Sequence, residues 1–229
     1  IIVIDFSLEM QTNSFGKKYC KIVLTGGPCA GKTKAQQQLQ DLISKNYSEK
    51  WQAFIVLEAA SILYKGGVQR QALDPDQIVQ WQRGMLTTIF QFEQVFENIA
   101  ILEQKRNTII ICDRGGMDPK VFTEKKQQWD NMLSDLGLDE SKILNRYETV
   151  IQLFTAPKEY YTIEDNRQRR ETFEEAEEIN EKYGQVWADH PNFHQVDNYD
   201  HRNPENLNNL GWEGKFAHVW DIVKNILDN

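Results

Sequence analysis

The chain has 229 residues, enough for one large α/β domain or two small ones. Its 40% hydrophobic content supports a sizeable core, and no apolar run approaches the ~20 residues of a membrane span. A formal charge of −8 disfavours nucleic-acid binding through phosphate neutralisation, while leaving room for a local basic cluster around one small anion.

Residues 1–18 read as an N-terminal extension with Gln11-Thr12-Asn13-Ser14-Phe15-Gly16 as a polar linker, and residues 19–229 as one domain. The chain opens on Ile1 rather than Met, and Ile1–Phe6 is too short for a secretory apolar region with its charged flank. Tyr19–Thr25 is the first core strand, followed by a helix from Thr33 to about Asn46 striped by Leu39, Leu42 and Ile43. Ala53–Leu57 is a continuous apolar run, expected of a strand buried on both faces. From Pro75 to about Lys105 the apolar positions step by three or four. Asp74 as N-cap and Pro75 behind it mark the start of a long amphipathic helix. Thr108–Cys112 and Thr149–Phe154 are a third and a fourth strand. Residues 163–187 form a highly charged helix, Asn192–Val196 a short last strand, residues 199–212 a loop and Phe216–Leu227 a closing helix. Strands alternating with helices imply an α/β, three-layer domain: a parallel sheet with helices on both faces and ligands beyond the strand C-termini.

Cys20, Cys29 and Cys112 lie far apart, with no C-x-x-C or Cys/His metal spacing. Their usage fits a reducing intracellular compartment, the cytoplasm or an organelle matrix.

Gly26-Gly27-Pro28-Cys29-Ala30-Gly31-Lys32-Thr33 follows the first strand and opens the first helix, the context in which G-x-x-x-x-G-K-[ST] has meaning. The glycines let backbone N–H groups turn inward around a phosphate chain, and the helix N-terminus adds unpaired donors. Lys32 can reach the β- and γ-phosphates, and the Thr33 hydroxyl can ligate Mg²⁺. Asp113 ends an apolar strand as a Walker B acid would, a second Mg²⁺ ligand, with Arg114 beside it; a strand-end salt bridge is the structural alternative. Glu58 ends the second strand, placed to take a proton from an acceptor hydroxyl or to serve as a helix-start carboxylate. Arg167, Arg169 and Arg170 follow the fourth strand, either as a phosphate-clamping lid or as a solvated charged face. Gln82 can read a base or carboxamide edge, with Trp81 stacking on it or packing as core. His190 has no evident catalytic partner and reads as structural.

These stretches resemble the AAA-type P-loop family that contains the NadR kinase domain and the TRPL translocation defect proteins. The similarity rests on Lys21–Thr33, Cys112-Asp113-Arg114-Gly115-Gly116-Met117-Asp118, Arg169-Arg170-Glu171-Thr172, Trp187-Ala188-Asp189-His190-Pro191 and Val196-Asp197-Asn198. It implies a P-loop kinase-like nucleotide-binding fold, with Lys32, Thr33 and Asp113 at the phosphates and Mg²⁺ and a lid around Arg169. NadR-type members phosphorylate nicotinamide riboside, whereas the eukaryotic members are linked to GTP, phosphoinositides and membrane-protein trafficking. Trp81-Gln82 also looks like the Phe-Gln of deoxynucleoside kinases. Lys34 departs from the family's usual hydroxyl residue and adds a cation beside the phosphates.

The side chains together predict a small-molecule kinase moving the γ-phosphate of ATP or GTP to a nucleoside-like hydroxyl. The alternative is a non-catalytic ATP- or GTP-binding scaffold, a structural subunit with protein assembly partners. A GTP-dependent switch lacks the Asn-Lys-x-Asp guanine-reading motif.

Overall fold

Alternate residues of each central strand face two different cores, which makes the sheet the middle layer of three. Ile22, Leu24, Ile109, Ile111, Ile151 and Leu153 pack on one side. Val23, Ile110, Cys112 and Val150 pack on the other. The computed structural model describes residues 10–68, 72–123, 125–161, 171–202 and 210–229.

The strands are β1 (Gln11–Thr12), β2 (Lys18–Thr25), β3 (Trp51–Val56), β4 (Asn107–Asp113), β5 (Thr149–Leu153) and β6 (Phe193–Val196). The order β3-β4-β2-β5-β6 is parallel throughout, and β1 pairs antiparallel with the start of β2. The helices are α1 (Lys32–Asn46), α2 (Ala59–Lys65), α3 (Pro75–Ile101), α4 (Lys126–Asp135), α5 (Glu140–Leu144), α6 (Phe173–Trp187) and α7 (Trp212–Asp228). α1 and α7 cover the first face through Leu39, Ile43, Val219 and Val223. α3 to α6 cover the second through Leu86, Met132, Ile143 and Trp187. The chain leaves β2 toward β3 and β5 toward β6, in opposite directions, so the crevice between them is where a ligand belongs. Among the described residues no helix is long and apolar enough to cross a membrane.

Five boundaries differ from the sequence reading for local reasons. The charged helix expected over residues 163–187 begins, as α6, at Phe173, because extended Thr172 caps it by accepting from the Glu175 amide at 3.2 Å. The Gln11–Gly16 linker is a hairpin, because Asn13 Oδ1 accepts from the Phe15 and Lys17 amides, both at 3.0 Å, around Gly16 at φ +73°. α3 stops at Ile101 rather than near Lys105: Asn13 Nδ2 takes the Ala100 and Glu103 carbonyls, and Glu103 Oε1 accepts from the Lys105 and Arg106 amides. β3 is not buried on both faces. It is the sheet edge, with Gln52–Ile55 half-buried and Leu57 beyond its end exposed. α7 begins at Trp212, four residues before Phe216. The 3₁₀ turn Asp118–Phe122 and the short helices α2, α4 and α5 are additions.

One buried charge network ties these layers to the loop after β4. Glu93 of α3, wholly buried, accepts from Lys21 at 3.1 Å, Arg146 at 2.7 Å and the Tyr147 hydroxyl at 2.7 Å. Tyr147 in turn accepts from the Gly116 amide at 2.8 Å. Burial alone would raise the Glu93 carboxyl, but Lys21 and Arg146 hold it below its ordinary value. Removing one partner strands the others as buried charges. Glu93→Gln is expected to cost about 3–5 kcal/mol in urea unfolding at pH 7. Because the folded carboxyl titrates low, its contribution is present above about pH 4.5 and disappears as pH falls through the folded value.

Candidate active site

The phosphate loop needs glycine where it is pressed from behind. Gly26 has φ +128°, and a Cβ there would lie 2.0 Å from the Leu153 carbonyl oxygen at the end of β5. A Cβ on Gly27 would meet Thr155 Oγ1 at 2.4 Å, and the Gly27 amide donates to Asn180 Oδ1 of α6 at 2.8 Å. Gly31, at φ +88°, would strike the Trp212 ring at 2.3 Å. Cys29 takes φ +56°, an unusual value for a residue with a side chain. Lys32 curls over the loop and donates to the Gly26 and Gly27 carbonyls, both at 3.0 Å. Burial, with Arg114 nearby, pushes its ammonium down to about 8.

Thr33 Oγ1 donates to Asp113 Oδ2 at 2.9 Å, while Asp113 Oδ1 is buried without a hydrogen-bond partner. Burial raises the Asp113 carboxyl above its ordinary value. A hydroxyl and an under-satisfied carboxylate side by side suit a hard divalent cation completed by phosphate oxygens and water. Among the described residues no group of three or more His, Cys, Asp or Glu forms an all-protein metal cage.

Arg114 adopts φ +80° and fans out in three directions. It donates to the Gly26 carbonyl at 2.8 Å and to Glu58 Oε1 at 3.3 Å, and its guanidinium lies 4.3 Å from the centre of the Tyr183 ring. Glu58 is the N-cap residue of α2 and accepts from Ser61 Oγ at 2.5 Å. Burial would raise Glu58, but Arg114 and Lys32 outweigh it and hold the carboxyl below its ordinary value. Asp118 is anchored by three donors: Thr25 at 2.7 Å, Trp187 at 2.8 Å and the Gly115 amide at 2.8 Å. It fixes the Arg114–Gly116 turn against β2 and α6.

A cavity of about 400 Å³ runs from the phosphate loop past Glu58, Asp113 and Arg114 to α3. Its far wall holds Gln82, Met85, Ile89 and a stacked pair, Trp81 and Tyr64, with ring centroids 5.7 Å apart. Gln82 is only 3% exposed, and its amide makes no hydrogen bond to the described residues.

Pro28–Thr33, Glu58, Asp113, Arg114 and Gln82 therefore line one space, with Gly26 and Gly27 behind it. Trp81 lines that space and also packs against the small core cluster of Ala59, Met85 and Ile89. Arg169, with Arg167 and Arg170, falls outside the described residues. Lys34 Nζ sits 4.6 Å over the Trp212 ring, so its charge rests on an aromatic face. Asn198 is a structural clamp, donating to the Thr155 carbonyl at 2.8 Å. His190 is structural, bonded to the Tyr147 carbonyl and the Asn192 amide. Sequence reasoning missed Ser61, Tyr183 and Lys215 and assigned Asp118 no role. Ala176, Asn180, Tyr183 and Trp187 step by four, three and four, a spacing that marks the inward face of α6.

A family model described as an AAA domain matches residues 21–202, most of the chain. The chain belongs to the AAA-domain family. This AAA-domain chain also resembles solved P-loop kinases at identities that speak for the fold alone. Thymidylate kinase from Ehrlichia chaffeensis aligns with TM-score 0.58 and 14% identity over 91% of this chain and 98% of that one. NadR protein in complex with NR aligns with TM-score 0.59 and 16% identity over 90% of this chain and 50% of that one. Thymidylate kinase from Candida albicans aligns with TM-score 0.51 and 15% identity over 90% and 91%. No curated protein matches the sequence significantly. The AAA-domain sheet and loop thus form a kinase-like P-loop fold.

Gly26→Ala must displace the Leu153 carbonyl as well as take a positive φ. It is expected to lower stability by about 2–4 kcal/mol by thermal or urea unfolding. Gly16→Ala, also at positive φ but with open space around it, is expected to cost about 1 kcal/mol.

Proposed function

We propose that the chain is a small-molecule kinase that moves the γ-phosphate of ATP or GTP to a hydroxyl of a nucleoside-like acceptor. The observation that carries this reading is the continuity of one cavity from the phosphate loop to the buried Gln82, whose amide makes no hydrogen bond to the described residues. A site for a nucleotide alone has no use for a second, apolar compartment floored by Trp81, Tyr64 and Met85. An aromatic ring slid against Trp81 would present its polar edge to Gln82, whose amide offers both a donor and an acceptor.

In this reading the phosphate-loop amides and Lys32 seat the β- and γ-phosphates, Lys32 exchanging the Gly26 and Gly27 carbonyls for phosphate oxygens. Thr33 and Asp113 would hold Mg²⁺, which when bound neutralises charge on those phosphates. Glu58 accepts a hydrogen bond from the acceptor hydroxyl and orients it. The hydroxyl oxygen bonds to the γ-phosphorus, the bond to the β-phosphate oxygen breaks, the nucleoside diphosphate leaves, and the hydroxyl proton passes to Glu58. A carboxylate held below its ordinary pKa is a weak base, and this suffices because the transition state is loose and the proton moves late. Arg114 stands at the junction of loop, base and cavity, where charge on the transferring group develops.

The test is transfer from γ-labelled Mg-ATP and Mg-GTP to a panel of ribosides and deoxyribosides that includes nicotinamide riboside. Lys32→Ala is expected to lower kcat/KM by about 10²–10³-fold. Tight nucleotide binding with no acceptor phosphorylated would overturn the kinase reading in favour of a non-catalytic nucleotide-binding subunit. Gln82→Leu is expected to raise the acceptor KM about tenfold at nearly constant kcat, measured on the best acceptor.

A further inference from the structure

Lys215 of α7 is 3% exposed, a cation sunk behind the phosphate loop. Its ammonium donates to the Phe154 carbonyl and, at 3.0 Å, to Asn198 Oδ1. Those two partners frame the strap of chain on which the loop rests: Leu153 meets Gly26, Thr155 meets Gly27, and Asn198 holds the Thr155 carbonyl. Neither Lys215 nor Lys32 forms an ion pair with a carboxylate among the described residues. The charged groups facing Lys215 are Lys32, which repels it, and Asp197, which attracts it from the loop after β6. Asp197 is already engaged by His201 at 2.8 Å, and Asp200, packed at Gly214, by Arg202 at 2.7 Å.

We infer that Lys215 is a positioning residue for the phosphate loop and that its protonation is linked to nucleotide binding, the polyphosphate supplying the negative charge its surroundings lack. The inference rests on the loop being a nucleotide seat. Burial, then Lys32, pushes the free lysine down to about 7, whereas a nearby polyphosphate favours the charged form. At pH 7.5 full protonation of Lys215 on binding would take up roughly three-quarters of a proton.

The experiment is titration calorimetry of the full chain with Mg-ATP and Mg-GTP at pH 7.5 in two buffers of different ionisation heat. The wild type should take up roughly three-quarters of a proton more than Lys215→Arg. Lys215→Arg, charged throughout, should keep the affinity. Lys215→Met should show the same lower uptake with about tenfold weaker binding. Should Lys215→Met fail to fold, the wild type and Lys215→Arg decide alone. Equal uptake in wild type and Lys215→Arg, or undiminished affinity in a folded Lys215→Met, overturns the inference. A wild type that binds neither nucleotide overturns the nucleotide-seat reading, and the inference with it.

Discussion

The close approach of the phosphate loop to the strap Leu153–Thr155 is the constraint on which the site depends. Backbone meets backbone there because Gly26 and Gly27 carry no side chain, and any Cβ would occupy space already held by Leu153 or Thr155. The loop is therefore shaped from behind by β5, α6 and α7 as well as by its own sequence. Asn180 takes the Gly27 amide, Gln152 donates to the Asn180 carbonyl at 2.6 Å, and Gln195 donates to Gln152 at 2.8 Å. A polar ladder thus runs from β6 across the sheet to the loop. Loosening any rung alters how the loop amides point.

A second frame holds the opposite wall. Asp118 gathers donors from β2, α6 and its own turn, and the Glu93 network reaches the same turn through Tyr147 and Gly116. Arg114 sits between these anchors at a positive φ, a conformation that costs on the order of 1 kcal/mol and persists because its surroundings over-determine it. The strain aims one guanidinium at the phosphate loop, Glu58 and Tyr183 together.

The fold was legible wherever local pattern and environment agreed. The phosphate loop, the apolar strand ending in Asp113 and the capping pair Asp74–Pro75 all read directly, since each is encoded within a few residues. Glu58 is not a strand end but the N-cap of α2, two residues beyond β3. Gln82 was legible as a chemical possibility, while its burial against the cavity depends on how α2 and α3 pack. The hairpin at Asn13 was not legible, because its stability comes from carbonyls of Ala100 and Glu103, remote in sequence. The half-buried state of β3 depends on its place at the sheet edge, which an apolar run does not disclose. Lys215 was invisible for the same reason: a lysine amid apolar positions of a helix reads as surface until the partners beneath it are known.

The remaining question is why so many charges around one cavity are not simply paired with each other. Arg114 and Glu58 do pair, yet Lys32 spends its donors on carbonyls, Lys215 on a carbonyl and an amide, and Asp113 accepts from a hydroxyl. Direct pairing of Lys32 with Asp113 would lower the electrostatic cost of burying both. It would also make each unavailable, since a buried ion pair must be broken before either partner engages anything else. Neutral dipoles hold the same charges in place with less attraction to overcome. The orphaned Asp113 Oδ1 and the depressed lysines are the cost of that availability, and the proposed binding of a polyanion with its cation would account for it where stability alone does not.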